Sequence, residues 1–124
     1  MKCFVVDCRG VASFEDFVAA MNRGFVRHVG GEWHGNLDAF NDYLSWPSED
    51  EYQLKIVGWA SCTAALGHDA MAKWLRHNLA RCHPSNIAEV RRELARAERG
   101  QGKTLLARIR EIIAGNRNVH LVLA

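Results

Sequence analysis

No apolar run in these 124 residues approaches the roughly 18 that a membrane-spanning helix requires. The opening Met1-Lys2-Cys3-Phe4-Val5-Val6-Asp7 meets an acid too early for a secretory signal, so the expectation is a cytoplasmic protein. No CxxC occurs among Cys3, Cys8, Cys62 and Cys82, which therefore read as small apolar residues or free thiols. Cys62, His77, Cys82 and His83 carry zinc-binding atom types, but their spacing matches no ligand pattern, and neither metal nor cofactor is implied. Gly102-Lys103-Thr104 ends like a phosphate-binding loop, yet Ala97 stands where the first glycine is needed and no strand leads in. A turn and helix cap is the simpler use. The six histidines (His28, His34, His68, His77, His83, His120) are scattered, and no signature links any of them to a nucleophile. No enzyme is expected, and a hydrolase using His34 with Asp38 is the competing possibility. Repeats, low-complexity segments and linkers are also missing, which favours a single domain over 1–124.

What is present is an ordered set of periodic segments. Residues 2–7 are short and β-branched, a buried-strand pattern. Ser13 caps a helix, with Phe14, Phe17, Val18 and Met21 on one face and Gly24 and Gly30-Gly31 closing it. Asn36 caps a shorter helix to about Leu44, in which Leu37, Phe40 and Leu44 share one stripe. Asp38 and Asp42, four apart, share another. A loop with Trp46-Pro47-Ser48 and an acidic run precedes a second strand at Leu54, Ile56 and Val57. Ser61 to Ala80 reads as helix, broken near Gly67-His68, with Met71, Trp74, Leu75 and Leu79 inward. Ser85 or Asn86 caps the next helix, and Thr104 caps the last, whose Leu105, Ile109, Ile112 and Ile113 are apolar. Val119 to Leu123 is nearly continuous in apolar residues, which predicts a strand buried on both faces. Strands alternating with helices imply crossovers and a small three-stranded parallel sheet, an α/β fold.

The formal charge of +2 conceals a division. Residues 1–60 carry nine acids against five bases, and residues 61–124 eleven bases against five acids. The helix near 87–99 places Ile87, Val90, Leu94 and Ala97 beneath Arg91, Arg92, Arg96 and Arg99. Glu89, Glu93 and Glu98 are interleaved with those arginines, so helical ion pairs and a solvated face are expected there. Nucleic acid is therefore not the expected partner, and a nucleic-acid-binding or regulatory module is the alternative that this helix would serve.

The segment Gly35-Asn36-Leu37-Asp38-Ala39-Phe40-Asn41-Asp42 resembles the signature of the barstar family, inhibitors of barnase-type ribonucleases. Phe4-Val5-Val6-Asp7, Ser13-Phe14-Glu15-Asp16-Phe17, Leu54-Lys55-Ile56-Val57, Arg110-Glu111-Ile112 and Val119-His120-Leu121-Val122-Leu123 are similar, in order, to that family's other elements. About ninety residues are covered, and roughly 61–102 is an enlarged helical region. The resemblance implies an immunity-type protein that blocks a small ribonuclease or related toxin by carboxylate mimicry of substrate phosphate. It assigns Asp42 as the central acid, Asp38 as a second acidic contact and Trp33 as the aromatic anchor. Glu111 would add an ion pair from the last helix. His34, Gly35, Asn36 and Asn41 fall on the same surface. Asn41 stands where the prototype has a tryptophan, and His34 where it has a glycine.

Overall fold

The computed structural model describes all of residues 1–124. Three parallel strands, β1 (Lys2–Asp7), β2 (Tyr52–Val57) and β3 (Val119–Leu123), lie in the order β1-β2-β3. Helices α1 (Phe14–Gly24) and α2 (Leu37–Tyr43) fill the first crossover. The second contains α3 (Trp59–Ala65), α4 (His68–Leu79), α5 (Ile87–Glu98) and α6 (Leu105–Ala114). The α/β class and parallel sheet expected from the alternation are therefore present. The long region 61–102 holds most of α3, all of α4 and α5, and the short 3-10 turn Pro84–Asn86.

Strand residues alternate sides because the pleat has a period of two. Phe4, Leu54 and Leu121 form one inward row, and Val6, Ile56 and Leu123 the next. A single cluster of 26 buried residues packs on this side, drawn from β1, β2 and adjoining loops and from α1, α2, α3, α4 and α6, with Ala97 the one contribution of α5. Phe4, Phe25 and Tyr52 interlock there with ring centroids 5.1 to 5.7 Å apart. The opposite face is open. Val5 is 52% exposed, and Cys3, Asp7 and His120 are exposed beside it. This corrects two expectations: β1 is buried on one face only, and β3, an edge strand, is half-buried at best. Apolarity on both faces of a five-residue strand does not reveal whether a second layer exists to cover it.

The helix starts follow the capping residues. Ser13, Asn36 and Thr104 each accept a hydrogen bond from a backbone N–H three residues on. Thr104 thus caps α6, the use preferred over a phosphate loop. At the 3-10 turn His83 does the capping, its Nδ1 accepting from the Ser85 N–H, and Asn86 makes no side-chain cap to α5. At the C-terminal end of α1, Gly24 lies so close to the Val5 carbonyl that any side chain would collide. That absence of a Cβ lets α1 press directly onto β1.

All four cysteines are free. Cys8 and Cys62 are buried in contact with one another. Donation from the Cys8 thiol to the Cys62 sulfur, and then burial, push the Cys8 thiol well above the usual thiol range, so it stays neutral. Cys3 is an exposed free thiol, the second of the two expected uses. No group of three or more His, Cys, Asp or Glu residues is assembled to hold a metal ion, and no helix is long and apolar enough to cross a membrane.

Candidate functional site

The segment from Glu32 to Leu54 contains no lysine or arginine but six acids: Glu32, Asp38, Asp42, Glu49, Asp50 and Glu51. Short α2 runs through its centre. Leu37 and Phe40 face inward and are buried, which turns Asp38, Asn41 and Asp42 outward. Asp38 and Asp42 are exposed, and neither carboxylate takes part in an ion pair or a hydrogen bond. Their Cβ atoms, one helical turn apart, are about 6 Å from each other by helix geometry. Two free carboxylates on one short, tethered helix make a fixed anionic pair.

The tethers explain why so short a helix holds its place. Asn36 caps α2 through Ala39 N–H at 2.9 Å. The carbonyl of Leu44, just past the helix, accepts from Tyr52 Oη at 2.7 Å and from Asn118 Nδ2 at 3.1 Å. Asn41 accepts from Asn116 Nδ2 at 2.9 Å, tying α2 to the end of α6. Burial pushes the Tyr52 phenol above its ordinary range, so it remains a donor at any ordinary pH. The approach loop is stapled too. Arg27 grips Glu32 with two contacts of 2.8 Å, an arrangement that lowers the Glu32 carboxyl and raises the guanidinium. Tyr43 Oη donates to the Glu32 carbonyl at 2.9 Å.

Trp33 departs from its expected role. Its indole is 1% exposed and packs against Phe14, Phe17 and Phe40, with Nε1–H donating to the Asn36 carbonyl at 2.7 Å. It is a core residue, not an aromatic anchor on the surface. Gly35 has φ +102, and a Cβ there would meet Phe14 at 3.2 Å. Gly35 and Asn36 thus shape the loop, while His34 beside them is exposed. Glu111 is exposed but already paired with Lys103 at 2.9 Å, so it presents less free charge than expected.

Two contributors were not legible as such. Asn22, the one buried polar residue, accepts from the Trp33 N–H at 2.7 Å and donates to the Trp33 carbonyl at 2.8 Å, clamping the loop to α1. Trp46, 49% exposed, stands edge-on to Tyr43 at 4.7 Å, just beyond the helix that carries Asp42. Its signal in the sequence is a tryptophan placed off the Leu37-Phe40-Leu44 stripe, in a polar loop. Asp38 also borders an open cleft of ≈ 1670 Å³ whose lining includes Lys73 and His77 of α4 and Glu89 of α5. Of the eight residues expected on this surface, Asp38, Asp42 and His34 remain uncommitted to internal contacts, whereas Trp33, Gly35, Asn36, Asn41 and Glu111 serve internal ones. Comparisons with protein-family models, with curated proteins and with solved structures find no match, so the chemistry of this surface alone must argue its use.

Proposed function

We propose that this protein is a barstar-like inhibitor that blocks a small barnase-type ribonuclease, or a related toxin, in a one-to-one complex. Asp42, seconded by Asp38, fills the enzyme's phosphate site in place of the substrate. The observation that carries this reading is the pair of exposed, unpartnered carboxylates on a helix anchored at both ends. A carboxylate is a poor competitor for an arginine when water surrounds both. It becomes a strong one when docking excludes the water, because charge-assisted bonds strengthen in a desolvated site. Anchoring helps, since little order remains to be lost on binding. Trp46 supplies the exposed aromatic surface that Trp33 does not. An inhibitor of this kind acts where its ribonuclease is made, which agrees with a cytoplasmic location. The protein itself catalyses nothing in this reading.

Titration calorimetry against a purified barnase-type ribonuclease tests it. Asp42→Ala is expected to weaken binding by about 2–5 kcal/mol, the cost of leaving the enzyme's cations buried and unpaired. Affinity unchanged by that substitution overturns the mechanism.

A further inference from the structure

The expected solvated face of α5 depends on its glutamates pairing with its own arginines. They do not. Glu93 instead meets Arg108 of α6 at 3.1 Å, and Glu98 meets Arg76 of α4 at 3.7 Å. Arg91, Arg92, Arg96 and Arg99 are all exposed and take part in no ion pair. At 3.6 residues per turn these four fall within an arc of about 140°, opposite Val90, Leu94 and Ala97, and extend about 12 Å along the axis. Ala88 and Ala95 lie inside the arc and leave it smooth, with Glu89 at one flank. The Arg96 guanidinium lies near Gly102, with Cζ 3.6 Å from where a Cβ would stand. Four unneutralised guanidiniums on one rigid stripe create a strong local field in the half of the chain that carries the excess of bases.

We propose that this stripe of α5 docks on the phosphate backbone of a nucleic-acid duplex, without reading its sequence. Guanidinium forks match phosphate geometry, and each neutralised phosphate releases counterions. The stripe carries no Asn or Gln for adenine edges and no aromatic ring on which an unpaired base could stack, which disfavours adenine readout and single-stranded modes. A membrane surface would need an apolar face to insert beside the charges. On α5 that face is turned to the protein interior side, where Val90 and Leu94 pack against the core cluster. This inference is independent of the inhibitor reading, which rests on α2.

Fluorescence anisotropy with a labelled mixed-sequence DNA duplex of about 20 base pairs tests it, since such a duplex exceeds the reach of the stripe. Binding with a Kd on the order of 10 µM near physiological salt is expected. Affinity should fall about 100-fold between roughly 50 and 200 mM salt, as four phosphate contacts require. Replacing all four arginines by Gln should abolish binding while circular dichroism stays unchanged, because Gln and Arg have similar helix propensity. The double variant Arg91→Gln/Arg92→Gln should roughly halve the salt slope. The proposal is overturned by absence of binding at low salt, by binding that survives the quadruple variant, or by a preference for anionic phosphatidylserine vesicles or oligo-dT over the duplex.

Discussion

An indole packed against three phenyl rings and hydrogen-bonded to a backbone carbonyl has no face left for a partner, so a change at Trp33 acts on stability. Trp33→Ala should cost about 3–5 kcal/mol in denaturant unfolding, the range for a large buried aromatic. Trp46→Ala should leave stability within about 0.5 kcal/mol and instead weaken the proposed complex by about 1–3 kcal/mol. If Trp46 proves the destabilising site and Trp33 the silent one, the assignment is reversed. Sequence alone could not separate the two, because both tryptophans flank the same acidic helix and burial depends on Phe14 and Phe17, about twenty residues away. At the far end of β1, Arg9 donates to Asp7 from its side chain and backbone and holds that carboxyl at about 2, below its ordinary 3.8. A lowered folded value means a contribution fully present above about 4 that is lost as pH falls through about 2. Arg9→Ala should therefore move the Asp7 midpoint, read by NMR titration, upward toward 3.8.

At the level of elements, periodicity and caps carried much of the fold. Ser13, Asn36 and Thr104 mark real helix starts, and the break at Gly67-His68 separates α3 from α4. What periodicity could not carry is which neighbour an element meets. β3 is nearly continuous in apolar residues yet none of them is fully buried, and α5 has an amphipathic face of which only Ala97 is buried. The glutamates of α5 looked like partners for arginines one turn away, but residues on α4 and α6 claim two of them. Such competition is invisible until the chain is folded. Arg108 is the principal clasp, joining Glu93 at 3.1 Å while lying 5.0 Å from the centre of the Trp74 ring. Arg108→Ala removes both contacts at once. Amide exchange in α5 should accelerate several-fold, with overall stability lowered by about 1 kcal/mol. Exchange unchanged across 87–98 would show that α5 is held by its packing on α4 alone.

For the molecule as a whole, stability and association draw on different interactions, and salt separates them. The core is one apolar cluster, insensitive to ionic strength. The ion pairs all lie at the surface: even the least exposed, Arg108 with Glu93, leaves 37% and 38% of its side chains open to water. Exposed pairs contribute about 0–1 kcal/mol each and are readily screened. Raising NaCl from about 50 to about 500 mM should therefore move the melting temperature by no more than about 3 °C. The proposed encounter of the acidic 32–54 surface with a cationic ribonuclease depends on unscreened charge and should slow at least about 10-fold over the same range in stopped-flow measurements. The acids of that surface stand on a chain of formal charge +2, so the steering must be local to α2 and its flanking loop. It should weaken further with Asp38→Asn and be untouched by neutralising Arg91 and Arg92. An association rate indifferent to salt would mean that the complex forms through apolar contact alone, and that the carboxylates of α2 do not guide it.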